Sequence, residues 1–130
     1  MGWKDIDLST VSVTIDPIAV GDYTLELLPG AKYNTTDAQK VEAQAAIVNG
    51  EFAGRRIFFS YPNPDNYEWS PKAFKRLELA LGVESTPGED PVEYLNRNAN
   101  MRFGATISQR KDQNEIVRND LKLFSVHAAA

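Results

Sequence analysis

The chain has 130 residues, 42% hydrophobic and 25% charged, with a net charge of −4, which fits one globular domain around a single core rather than a disordered segment. No apolar run approaches the ~20 residues of a membrane span, and the start MGWKDIDLST lacks the positive and apolar stretches of a secretory signal. With no cysteine there is no disulfide frame and no thiolate metal site.

The first twenty residues alternate weakly at Val11, Val13 and Ile15 before Pro17 and read as an arm or edge strand. Gly21 opens DYTLELL, where Tyr23, Leu25 and Leu27 share one face, the period of a half-buried strand. Pro29-Gly30 closes it, and the loop KYNTTDAQ follows. In VEAQAAIV, Val41, Ala43, Ala45 and Ile47 face one way, while Glu42 and Gln44 face the other. Asn49-Gly50 is a two-residue hairpin signal, because both positions tolerate positive φ. The third strand, FAGRRIFFSY, pairs back after it, with Gly54 as a bulge or bend.

Pro62 to Asn66 form a loop, and Ser70-Pro71 predicts a helix with Ser70 as N-cap and Pro71 at its first position. Phe74, Leu77 and Leu81 make its apolar stripe, Ala73 and Ala80 flank it, and Gly82 ends it. Asp90-Pro91-Val92-Glu93 has capping-box spacing and starts a shorter helix that turns Val92 and Leu95 inward and ends near Asn98. In MRFGATISQR, Met101, Phe103, Ala105 and Ile107 point inward. A turn at Lys111-Asp112-Gln113-Asn114 leads into EIVRNDLKLFSV as the final strand, with a bulge expected around Asn119-Asp120 and a frayed tail from His127.

The expected organisation is an arm at 1–20, a domain at 21–126 and a tail at 127–130. Its order is three strands, a helix with a short extra helix, then two strands. That is mainly β and is the order of a five-stranded OB-fold barrel, which binds oligonucleotides or oligosaccharides on strands two and three and on two of its loops. Those loops fall at 30–39 and 111–115, which bring Lys32, Tyr33 and Lys111, with Arg110 at the edge.

The densest chemistry lies between Gly50 and Gly82, where an arginine pair precedes a run of aromatic rings. Rings over a basic groove bind single strands with little sequence preference, since every base has a face to stack and every phosphate a charge to neutralise. Residues 30–62 and 101–127 hold nine basic and six acidic residues, against five and twelve elsewhere. A weakly positive face on an acidic body suits phosphate, and suits a plain mixed surface equally. Alternation groups Arg56, Phe58 and Ser60 on one face of the third strand, and Ile57, Phe59 and Tyr61 on the other, with a bulge at Gly54 able to reverse the two. Arg55, Arg56, Lys32 and Lys40 are the candidate phosphate contacts, and Tyr33, Phe58 and Trp69 the candidate stacking rings. Arg102, Arg110 and Lys111 are further basic candidates. Tyr67 and Trp69 have a second reading as a plug under the barrel.

Catalytic signals are poor. His127 is the only histidine, and Gly21, Gly30, Gly50 and Gly54 are spaced as turns, not as a phosphate-cradling loop. Asp5/Asp7 and Glu89/Asp90 read as solvated loop charge rather than a metal site. Neither an enzymatic activity nor a cofactor or metal is expected.

The pattern GDYTLE, then NGEFAGRRIFF, then WSPKAFKRLELALG resembles a group of small phage-encoded proteins carrying a domain of formerly unknown function, which are similar to phage single-stranded DNA-binding proteins with an OB-fold. The resemblance covers roughly residues 20–125. It implies a DNA-binding protein that protects single-stranded DNA during phage replication or recombination, in the cytoplasm of the infected host cell, with replication or recombination proteins as partners. Many proteins of that type end in an acidic recruiting tail, whereas the last residues here read SVHAAA. Open strand edges allow a homo-oligomer, as a dimer or cooperative array. No membrane contact is expected. The alternative function is a structural or adaptor protein of a phage particle that uses the same barrel for protein contacts.

Overall fold

In the computed structural model, which describes residues 2–5, 7, 9 and 16–129, the chain is mainly β. The alternation expected at Val11, Val13 and Ile15 lies outside the described residues. The strands are β1 (Gly21–Leu27), β2 (Lys32–Tyr33), β3 (Val41–Ile47), β4 (Arg56–Tyr61), β5 (Arg102–Lys111), β6 (Val117–Leu121) and β7 (His127–Ala128). Helices α1 (Trp69–Leu81) and α2 (Pro91–Arg97) stand between β4 and β5, the place the sequence gives them. Neither is long and apolar enough to cross a membrane.

All pairings are antiparallel, and β3 organises them. One edge of β3 pairs along its length with β4, from Val41↔Tyr61 to Ala46↔Arg56. The other edge is shared, with β2 against Val41 and Glu42 and β1 against Ala45 to Ile47. Two short segments can share that edge because the chain breaks at Pro29-Gly30, where Gly30 has φ +98°. From β1 the sheet continues to β5, then to β6 and β7 side by side. β4 lies alongside β6 with no ladder between them among the described residues, so the sheet curls back on itself and stays open along that seam.

The buried face follows the period of two. Leu25 and Leu27, the four inward residues of β3, Ile57, Phe59 and Tyr61, and Phe103, Ala105 and Ile107 form the core. The α1 stripe of Ala73, Leu77, Ala80 and Leu81 packs onto it, and Tyr94 and Leu95 of α2 are fully buried. Gly82 closes α1 in the left-handed conformation, its N–H donating to the Glu78 carbonyl.

Several boundaries differ from expectation, each for a local reason. The turn after β3 is not a two-residue Asn49-Gly50 hairpin; it runs to Arg55, with the Gly54 N–H on the Ile47 carbonyl at 2.7 Å and the Ile47 N–H on the Arg55 carbonyl at 2.9 Å. Phe52 turns back against Tyr23, ring centroids 6.3 Å apart, which gives this apolar residue cover that a strand end would not. Gly54 therefore sits at φ +88° in the turn rather than in a strand bulge. Helix α1 starts at Trp69, and Ser70 is buried with its N–H on the Tyr67 carbonyl instead of acting as N-cap. The Asp90 side chain does not cap α2; its carboxylate accepts from the Tyr33 hydroxyl.

At the end of the chain, the ladder passes Asn119 and Asp120 without a bulge and stops at Leu121. Asn119 is occupied otherwise, its side chain bonding both backbone groups of Ile18 and tying down the arm before β1. Leu123–Ser125 form a 3-10 turn, and His127 and Ala128 pair with Gly104 and Phe103 rather than fraying. A Cβ on Gly104 would meet the His127 imidazole, the far end of an exposed side chain that can swing aside. Gly104→Ala is expected to lower stability by no more than about 1 kcal/mol, the cost of displacing that ring. Adding His127→Ala should recover most of the loss in a double-mutant thermal melt. An additive double mutant would show that the imidazole is not what Gly104 accommodates.

Candidate nucleic-acid interface

Cross-strand partners in a sheet share a face, so the register shows which candidate residues meet. Across β5, β1, β3 and β4 the solvent-facing row reads Arg102, Glu26, Ala46, Arg56. The next row sets Gln44 opposite Phe58, and a third sets Lys32, Glu42 and Ser60 side by side on β2, β3 and β4. Arg56, Phe58, Lys32 and Arg102 therefore stand on one face, with Phe58 at its centre.

Phe58 is 73% exposed and makes no ring contact among the described residues. An aromatic side chain left this open forgoes the burial that normally pulls it into a core. Opposite it, the Gln44 side-chain oxygen is buried and has no hydrogen-bond partner among the described residues. Arg56 and Lys32 make no ion pair among the described residues, whereas Arg102 faces Glu26 at 3.7 Å. With Glu26 and Glu42 counted, the face is only slightly positive.

The remaining candidates lie elsewhere. Arg55 belongs to the turn before β4, where its guanidinium donates to the Asp16 carbonyl at 3.0 Å and lies over the Phe52 ring, so it anchors the arm rather than extending the face. Lys40 is half-buried just before β3, its carbonyl accepting from the Asn34 N–H. Arg110 and Lys111 are on the β5–β6 hairpin, where Arg110 is tied to Asp120 at 2.6 Å. Trp69, 38% exposed, packs at 6.0 Å against both Tyr67 and Phe124, with Arg76 over the Phe124 ring. That cluster is built from the segment leading into α1, the helix itself and the turn after β6, so Trp69 neither fills the core nor joins the sheet face.

Tyr33 is opposite Val41, which turns it toward the inner side of the sheet, away from Phe58. It overhangs a cleft of about 440 Å³ between the sheet, the start of α1 and the 85–91 segment. Sequence reasoning missed this cleft, whose only signal was the scatter of prolines at 62, 64, 71 and 91. Glu78 lines it: burial alone would raise this carboxyl, but hydrogen bonds from the Ser85 N–H and Lys75 hold it below the ordinary range. Glu89, bonded by Arg97 and by the Thr86 N–H, is held down to about 2. Among the described residues no three acidic or histidine side chains converge to hold a metal ion.

The hydrogen bond to Asp90 raises the Tyr33 phenol to about 12, with burial and the Asp90 and Glu93 charges adding to it. A folded-state value above the unfolded one means that this contribution is complete below pH ~10 and is lost as pH rises through 12. Alkaline titration followed by tyrosine ring NMR should show Tyr33 ionising near pH 12, and Asp90→Asn should bring it back toward 10. An unchanged titration in that variant would remove Asp90 as the cause. No family model matches this chain, and no curated protein matches it.

Proposed function

We propose that this chain is a single-stranded DNA-binding protein with an OB-fold, acting in phage replication or recombination without catalysing a reaction. The carrying observation is Phe58, exposed at the centre of the β3–β4 face between Arg56 and the Lys32 row. A single base stacks on Phe58, and Arg56, Lys32 and Arg102 neutralise flanking phosphates. The strand arrangement supports the OB reading. A broken first strand shares the edge of the next, two helices precede the later strands, and β4 approaches β6. The bound face would then be that of the second and third barrel strands.

Magnitudes set the expected behaviour. One base–aromatic stack contributes about 1–3 kcal/mol. Three cations on a single strand give a logarithmic salt slope of about −2 per protomer. The adaptor reading has its own support in Leu79, 69% exposed on α1, and in the exposed Tyr67–Trp69–Phe124 rings at the start of that helix. It places protein contacts on the helix side rather than on the sheet.

Fluorescence anisotropy with labelled oligo-dT separates the two. Phe58→Ala is expected to weaken binding by about 5- to 100-fold, and Arg56→Glu to weaken it and flatten the salt dependence. Leu79→Asp should leave DNA binding unchanged. No binding of a 30-mer at low salt, or full binding by both sheet variants, would rule out the DNA reading.

A further inference from the structure

The cleft under Tyr33 differs chemically from the sheet face and plays no part in the DNA reading. Its walls carry four tyrosine or phenylalanine rings and four prolines, with Glu78 and Glu89 as its acids and Lys75 as its one basic lining residue. Asp90 and Glu93 stand beside Tyr33 and act on its phenol. Two observations mark the cleft as a binding site. Tyr61, only 3% exposed, is one of its lining residues, and its buried hydroxyl has no hydrogen-bond partner among the described residues, whereas buried polar groups are almost always paired. Glu78 is a buried carboxylate whose charged partner is Lys75, a side chain that is itself 58% exposed at 3.2 Å and free to swing away.

Charge decides what can enter. Glu78 and Glu89 are already bonded by Lys75 and Arg97, so the charge left over at the cleft is that of Asp90 and Glu93, which repels phosphate and attracts a cation. A guanidinium also stacks on aromatic rings and donates two parallel bonds to a carboxylate, which an ammonium cannot do. Ring-lined clefts suit extended proline-rich chain, which loses little entropy on docking.

We propose that this cleft binds an arginine-bearing, proline-rich peptide segment of a partner protein. The guanidinium replaces Lys75 at Glu78, the prolines lie along the tyrosine rings, and the Tyr61 hydroxyl bonds a peptide carbonyl. Tyr33 forms the lip, held in place by its hydroxyl donating to Asp90 at the start of α2. The site is on the opposite side of the sheet from Phe58, so it stands or falls independently of DNA binding.

Fluorescence polarisation of a labelled proline–arginine peptide with the full chain tests this directly. The expected result is saturable binding that weakens about tenfold when arginine is replaced by citrulline, which keeps the shape and removes the charge. Glu78→Gln should cost about tenfold and Tyr61→Phe about fivefold, and Arg56→Glu should leave peptide binding intact. Equal affinity for the two peptides, or no saturable binding, overturns the proposal, and neither result depends on a variant folding. Displacement of the peptide by oligo-dT would assign the cleft to nucleic acid and also overturn it. So would a folded Tyr61→Phe protein that binds the peptide like wild type, since water would then be the hydroxyl's partner.

Discussion

Everything in this molecule depends on the pairing of β3 along both of its edges. Its buried side is small at the centre, with Ala43 opposite Phe59 and Ala45 opposite Ile57. Small residues facing large ones let β3 and β4 interlock without voids, as a close-packed interior demands. With that side committed to the core, a one-residue slip would carry the whole apolar set into water. The register is thereby pinned, and with it the row that sets Arg56 beside Ala46 and Phe58 beside Gln44.

The same constraint separates two chemistries. Outward positions of the sheet carry Lys32, Arg56 and Arg102 around an open ring. Inward positions at the end of the sheet carry Tyr33, Val41 and Tyr61 over a cleft whose charged floor is Glu78. Adjacent residues such as Lys32 and Tyr33 are therefore divided between a weakly cationic face and an acidic cleft. A chain with a net charge of −4 can in this way carry a weakly cationic face and an acid-lined cleft on opposite sides of one sheet, because local placement, not the total, sets each local field.

Much of the architecture was legible in the sequence where periodicity was strong. The inward sets of β1, β3, β4 and β5 and the apolar stripe of α1 each follow a pattern of two or of three-and-four. Gly82 as helix terminator was equally legible, since the left-handed cap needs glycine there. Turns and caps were not, because their residues had better offers elsewhere. Phe52 left the strand to cover Tyr23, Asp90 gave its side chain to Tyr33 rather than to its own helix, and Asn119 bound the arm at Ile18. Each is a contact across the sequence that local propensity cannot anticipate.

The sequence by itself determined which residues of each strand share a face, because side chains alternate with an exact period of two whatever the partner strand. It thus put Arg56 together with Phe58 and apart from Ile57 and Phe59. Only the tertiary structure decided which faces meet. It drew Arg55 onto Asp16 and Trp69 onto Phe124, turned Tyr33 away from Phe58 and toward the cleft, and buried the Tyr61 hydroxyl without a partner among the described residues. Register between strands and the docking of helices are set by long-range packing, and no local spacing of residues encodes them.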